Sequence, residues 1–386
     1  MPTTGASRGP SLDFDPRYLE FVIEAWQARD LAPTPTDDLV TLATERATER
    51  LTELNAMGML EEDASSPAVK KIFTLLKSLG FTKEVTTGPR GMRVKRLTVT
   101  PDGRAALAEP VATGGARPLL VSRLLAKSSQ LTTLLRALHD NGPLVTPERD
   151  LAIGAPTRGA AYTRAMADGL ASFRELTGQP ASSAPTPPVA PKGRARATAP
   201  TPAQMLTAAK AAALARHPIG NLTQTQLDKA VPTALGLGLL WTDSQRVNEV
   251  IAARYVGAAV IPAGASYAPN TPTWAADGPS FVEALLKVQA ERADSTGFAT
   301  ITALRGGLGQ ALHIAPTVAD ALICEAREAG ERHEASVDIH FEPDEELLYV
   351  KGRRPLLWLG YAFDFVEVRS QVLSAQMGER VVAQMR

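Results

Sequence analysis

The chain has 386 residues, 44% apolar and 21% charged, with a formal net charge of zero. This is the make-up of a folded chain of several domains and excludes a collagen-like or wholly disordered one. One cysteine excludes an internal disulfide framework and a cysteine-rich zinc site, and no apolar run is long enough to cross a membrane.

The zero net charge hides an asymmetry. Residues 1–63 hold 5 basic and 13 acidic side chains, net −8; residues 64–200 hold 20 and 8, net +12; residues 201–386 hold 16 and 20, net −4. Screening limits the reach of a charge to about 10 Å, so the local block and not the total decides whether phosphate is attracted. No secretion-signal core opens the chain, so the expected location is the cytoplasm, on the nucleoid if the basic block meets DNA. Arginine outnumbers lysine and alanine is abundant, which points to a GC-rich bacterial genome.

Residues 1–14 read as a polar tail. Arg17 to Arg29 is a predicted helix with Leu19, Val22, Ile23 and Trp26 inward. Thr36 caps a second helix to about Met57, striped by Val40, Ala43, Ala47, Leu51 and Leu54. Its outer face alternates Glu45, Arg46, Glu49, Arg50 and Glu53, a solvated or partner-facing pattern. The strongest chemical signal follows. Ser66 is a good N-cap and Pro67 suits a first helical position. Val69, Ile72, Phe73, Leu76 and Leu79 form one apolar stripe; Lys70, Lys71, Thr74 and Lys77 fall on the other side, and Gly80 stops the helix. Phe81–Thr87 and Met92–Val99 read as two strands around a Thr-Gly-Pro-Arg-Gly turn, with Arg90, Arg93, Lys95 and Arg96 on the turn and returning strand. Thr100-Pro101 then opens another helix.

From Leu79-Gly80-Phe81 through Leu97-Thr98-Val99-Thr100-Pro101-Asp102-Gly103-Arg104-Ala105-Ala106-Leu107, this order resembles the winged-helix transcription factors, the MarR- and PadR-like members above all. The resemblance covers residues 66–108 only. It implies a helix in the major groove and a wing on the DNA backbone or in the minor groove. Carried onto this chain, it assigns Lys70, Lys71, Thr74 and Lys77 to the helix contact and Arg90, Arg93, Lys95 and Arg96 to the wing.

Pro118 to Asn141 reads as one long helix and Thr146-Pro147 as the start of a short one. With a helix over Thr157–Leu176 these suggest a helix-turn-helix-like unit without a wing, Arg158 and Arg164 being early on its last helix. Gly178 to Pro202 is a Pro/Ala-rich linker. Within it, Lys192-Gly193-Arg194-Ala195-Arg196 is faintly similar to an AT-hook, although the Arg-Gly-Arg-Pro core is missing; Arg194 and Arg196 are its candidate phosphate contacts. Helices follow over Pro202–His217 and Thr223–Ala230. Thr242 to Gln245 reads as a capping box opening a helix to Val256, with Val247, Ile251 and Tyr255 inward. Pro262–Asp277 is a predicted loop, and Phe281–Arg292, Ala299–Leu312 and Pro316–Ala329 are predicted helices. Strands then follow at Val337–Phe341, Leu347–Val350, Leu356–Leu359 and Phe363–Val368, before a terminal helix.

Catalytic chemistry is hard to find. Asp338, His340 and Glu342 share a strand face but lack convergent ligands from another element. Gly306-Gly307-Leu308-Gly309 has no Lys-Ser/Thr after it and so is no phosphate loop. Tyr349 stands where a nuclease pattern from Pro343-Asp344 to Lys351 needs an acid. Cys324 falls in a core helix.

The expected fold is mainly α with small β-hairpin wings, as tandem winged-helix or helix-turn-helix units in two lobes. The layout is a tail over 1–14, a winged-helix domain over 15–115, a helix-turn-helix-like unit over 116–177, the linker over 178–202, a helical region over 203–295 and a winged-helix-like domain over 296–386. The expected function is non-enzymatic binding of double-stranded DNA, as a regulator or as an accessory subunit of a defence or chromosome-associated system, with no cofactor and no metal. The alternative is a scaffold whose winged helices grip a partner enzyme or ATPase through the C-terminal lobe.

Overall fold

The computed structural model describes residues 12–56, 64–89, 93–109, 117–147, 219–247, 250–264, 266–343, 355–359 and 361–371, with positions 10, 211 and 214. Its described part is mainly helical, with small antiparallel sheets. One strand order recurs along it.

The first unit runs α1 (Arg17–Gln27), β1 (Thr34–Pro35), α2 (Thr36–Ala56), α3 (Ser66–Leu79), β2 (Thr82–Thr87) and β3 (Val94–Val99). Its sheet order is β1-β3-β2, so the last strand lies between the other two. Trp26, Ile23, Leu39, Ile72 and Leu76 fill the core beneath it. The helix cap is Ser65, one residue before the expected Ser66: its Oγ accepts from Ala68 N at 3.4 Å. Pro67 therefore sits one position later, still within the first turn, where a missing N–H costs nothing. Gly80 closes α3 at φ 83°.

The Thr-Pro-x-Gly motif has a local cause. Thr100 Oγ1 donates to Gly80 O at 2.9 Å and accepts from Gly103 N at 3.1 Å, tying the start of α4 (Pro101–Ala108) to the end of α3. A Cβ on Gly103 would stand 2.0 Å from Phe81 O, so only glycine lets α4 pass that close to the backbone.

The predicted helix over Pro118–Asn141 is two, α5 (Pro118–Lys127) and α6 (Ser129–Asn141). Ser128 breaks it, in extended conformation, with its Oγ accepting from Leu131 N to cap α6. Thr146-Pro147 ends β4 (Leu144–Pro147) instead of opening a helix. Beyond the undescribed stretch come α7 (Gln224–Gly236), β5 (Leu240–Val247) and β6 (Val250–Ala258). The expected helix over 242–256 is thus a hairpin. A Thr-x-x-Gln match is a short coincidence, whereas Trp241, Val250, Ile251, Tyr255 and Val256 are strand-forming residues, and a strand pair is what they build. The sheet order is β4-β6-β5, again with the last strand in the middle. β4 precedes the Pro/Ala-rich linker and β6 follows it, with Leu144 opposite Val256. The linker is therefore an insertion within one sheet and not the division between two lobes, since hydrogen bonding joins its flanks. Residues 1–14 are not wholly a tail either. Leu12 and Phe14 are buried, and Thr233 Oγ1 donates to Leu12 O at 2.7 Å.

The loop expected at 262–277 holds a small hairpin, β7 (Val260–Ala263) with β8 (Ser266–Pro269). The third unit runs α8 (Trp274–Arg292), β9 (Ala299–Thr300), α9 (Ile301–Leu312), α10 (Pro316–Glu331), β10 (Val337–Glu342) and β13 (Phe365–Ser370). Its order is β9-β13-β10, the same arrangement a third time. Helix α8 thus starts the C-terminal unit and does not belong to a separate region ending at 295. Between β10 and β13 the chain adds its own hairpin, β11 (Leu356–Trp358) and β12 (Tyr361–Phe363). The strand expected at 347–350 and the terminal helix lie outside the described residues.

The units share cores. One apolar cluster joins the first unit to α7, β5 and β6; another joins Trp241 and Ala259 to the third unit. The Gly306-Gly307-Leu308-Gly309 run finds its role at that second junction. A Cβ at Gly306 would lie 2.3 Å from Asp243 Cγ, and one at Gly309 would lie 2.5 Å from Trp241 Cβ. Glycine lets α9 press onto β5, and Arg292 Nη2 pairs with the buried Asp243 at 2.9 Å beside them.

Candidate nucleic-acid interface

Helix α3 has two chemically distinct sides. Val69, Ile72, Phe73, Leu75, Leu76 and Leu79 are buried; Lys70, Lys71, Thr74 and Lys77 are exposed on consecutive turns. Thr74 Oγ1 donates to Lys70 O at 3.0 Å, leaving its lone pairs outward. Lys71 Nζ pairs with Asp13 at 3.2 Å. Both side chains are about half exposed, so the pair is worth under about 1 kcal/mol and yields readily.

The β2–β3 hairpin stands beside this helix. Leu97 and Val99 of β3 face the core, and by the period of two Lys95 shares their face while Arg96 takes the other. Glu84 of β2 lies opposite Leu97 and receives Lys77 Nζ at 3.1 Å and Lys95 Nζ at 3.0 Å. Hydrogen bonds from Lys95 and then Lys77 hold the Glu84 carboxyl below the usual carboxylate range. Arg96 Nη1 donates to Pro33 O at 3.2 Å. It braces the hairpin against the start of β1, so it is the expected wing residue placed worst for reaching outward. Lys70, Lys83 and Arg93 make no ion pair with another described residue and are exposed.

Arg90 of the wing, Arg158, Arg164, Arg194 and Arg196 lie outside the described residues. Of the sequence-based set, Lys70, Lys71, Thr74 and Lys77 share the exposed side of α3, Lys95 meets Lys77 through Glu84, and Arg93 is exposed just before β3. Two contributors were missed. Glu84 looks like an ordinary strand residue until β2 is registered on β3. Lys127 Nζ donates to Ser78 O at 2.7 Å at the C-terminal end of α3, a contact made across sequence distance that no local pattern marks.

The equivalent helices of the other units differ. α7 carries Asp228 and Lys229, net zero, and its Gly236 packs against Pro16. α10 carries Asp320, Glu325, Glu328 and Glu331 against Arg327, net −3, where α3 has three lysines and no acid, net +3. Arg305 takes Asp320 at 2.6 Å; Glu325, Glu328 and Glu331 remain exposed. Arg327 lies over the Trp358 ring at 3.9 Å and the Phe341 ring at 4.6 Å, joining α10 to the β11–β12 hairpin. That hairpin exposes Leu357, Leu359 (73%) and Tyr361 (70%).

Among the described residues, no three His, Cys, Asp or Glu side chains converge on a point that could hold a metal ion. Asp338, His340 and Glu342 line the exposed side of β10, across from Arg369, Glu367 and Phe365. An open cleft between α1 and α2 is lined by Arg17, Glu20, Glu24, Arg46, Glu49 and Arg50, with its cations paired to neighbouring acids. No described helix is long and apolar enough to cross a membrane. Burial above all, then the charges of Asp320 and Glu328, pushes the Cys324 thiol up to about 12, which keeps it protonated and unreactive at neutral pH. Comparison with protein-family models, curated proteins and solved structures found no match to this chain.

Proposed function

We propose that the three recurring units are winged helices and that the first binds double-stranded DNA without catalysis. In this reading α3 enters the major groove and the β2–β3 hairpin rests on the sugar-phosphate backbone. The observation that carries it is the exposed row Lys70, Lys71, Thr74 and Lys77 on α3, flanked by Lys95 of the hairpin. A basic stripe on one helix face beside a basic hairpin is the electrostatic footprint of a phosphate-tracking surface. The direct test is fluorescence anisotropy of the full chain on a random-sequence duplex. Engagement of roughly five phosphates gives a log–log salt slope near −4.5. Replacing Lys70, Lys71 and Arg93 together by Ala abolishes binding at moderate salt; undiminished affinity in that variant contradicts the assignment.

One observation favours a second role alongside the first. Leu359 sits at the tip of the β11–β12 hairpin with φ 50° and 73% of its surface exposed. A leucine there opposes both the backbone preference, which favours Gly or Asn, and the tendency to bury apolar surface. With Tyr361 near it and α10 of the same unit carrying a net charge of −3, the third unit suits a protein partner presenting an apolar pocket rimmed by basic side chains. The chain then acts as an adaptor, DNA at one end and protein at the other. A stoichiometric partner retained by the native chain and lost from L359N/Y361S, with DNA binding intact, is the expected result. Equal retention by both forms removes this second role.

A further inference from the structure

The strongest unassigned feature is the position of Glu84. Its carboxylate lies in the gap between α3 and the β2–β3 hairpin, taking Lys77 Nζ at 3.1 Å on one oxygen and Lys95 Nζ at 3.0 Å on the other. The two lysines come from different elements, and the Glu84 carboxylate bridges them. Both ammonium groups are exposed, so neither is held there by burial. The three side chains share one face because Glu84 is in register with Leu97, two residues from Lys95, while Lys77 occupies the last turn of α3 above them. Two ammonium groups that bridge a carboxylate can equally bridge a phosphodiester, since two carboxylate oxygens span nearly the same distance as two non-bridging phosphate oxygens.

We infer that the gap between Lys77 and Lys95 is a phosphate-binding position for duplex DNA, occupied in cis by the Glu84 carboxylate when DNA is absent. The inference rests on the DNA-binding reading of this face and adds a regulator to it. DNA backbone must displace Glu84 to reach both lysines. Exposed ion pairs of this kind contribute little each, so displacement is easy but not free. The carboxylate then remains beside the incoming phosphate and weakens it by like-charge repulsion. The effect is to lower affinity for any backbone that cannot seat a phosphate squarely between the lysines, so Glu84 sets a threshold against loosely docked, non-specific complexes. The depressed protonation of Glu84 fits this geometry, since both lysines favour its charged form.

The test is a double-mutant cycle in the full chain, read by fluorescence anisotropy on a random-sequence duplex at fixed moderate salt. E84Q keeps the side-chain shape and removes the charge. It is expected to bind about fivefold tighter than the native chain, with an unchanged thermal midpoint. In the K77Q/K95Q background the same substitution is expected to change affinity by less than about twofold, because the position it guards no longer exists. A gain of equal size in both backgrounds would reduce Glu84 to a general negative charge near DNA and overturn the inference. Affinity equal to or weaker than native in E84Q alone also overturns it. Either result leaves the DNA-binding reading standing provided the native chain binds duplex; failure of the native chain to bind duplex at low salt removes that reading and this inference together.

Discussion

The first and third units share element order and strand order, yet present opposite chemistry at the same place. In the first, the third helix shows Lys70, Lys71 and Lys77; in the third it shows Glu325, Glu328 and Glu331. The hairpins differ in the same sense, basic and polar in one, apolar at its tip in the other. The lesson is that the fold fixes where a helix is presented and the outward side chains decide to what. The middle unit illustrates a third use, with its helix α7 turned against the N-terminal segment through Thr233 and Gly236.

That contrast can be broken in several ways. The largest effect is expected from charge. K70A/K71A/R93A should lose duplex affinity by about 100-fold or more at moderate salt, since each removed phosphate contact compounds the others. E325Q/E328Q/E331Q should stay within about twofold of the native chain in the same anisotropy measurement. If both triplets mattered equally, the division of labour between units would be gone.

Next comes the junction that fixes the second unit on the third. R292A removes the guanidinium from the buried Asp243 and should lower stability by about 1–3 kcal/mol in chemical denaturation. G309A drives a methyl group against Trp241 and should cost about 1–3 kcal/mol. DNA affinity at a temperature where both variants are folded should be unchanged, which would separate the scaffold from the interface. A smaller effect, opposite in sign, is expected at the apolar tip. L359N relieves a left-handed leucine and should raise stability by about 0.5–1 kcal/mol while removing partner capture. A loss of stability there would mean that Leu359 serves the fold. The smallest effect is at Cys324, where a thiol-specific reagent at neutral pH should label the folded chain far more slowly than the unfolded one.

How much of this could be read from residues alone varies along the chain. The α3 stripe, its glycine stop and the Thr100 cap are local patterns, and they fall where the sequence places them, with the N-cap displaced to Ser65. β1 and β9 are two residues each and become strands only by pairing with β3 and β13, so nothing local announces them. The middle unit departs from its sequence pattern for a related reason. Its sheet joins Leu144 to Val256 across the linker, and composition draws the eye to the linker as a boundary when the pairing bridges it. The exposed lysines of α3 were legible because helical periodicity sorts sides directly. Glu84 was not, because its partners lie on two other elements and its role depends on strand register. The GGLG run lies inside α9, and its use, close approach to β5, shows only with the neighbouring Trp241 and Asp243 in place.

The central claim is that one unit of three engages nucleic acid through a small, countable set of cations. The measurement that tests it most directly is the salt dependence of duplex binding by the full chain. Between 50 and 200 mM salt the account predicts a fall in affinity of about 500-fold, a slope near −4.5, reduced by close to one for each of Lys70, Lys71 and Arg93 replaced singly by Gln. No binding at the lowest salt, or an affinity that ignores salt and those three substitutions, would contradict it.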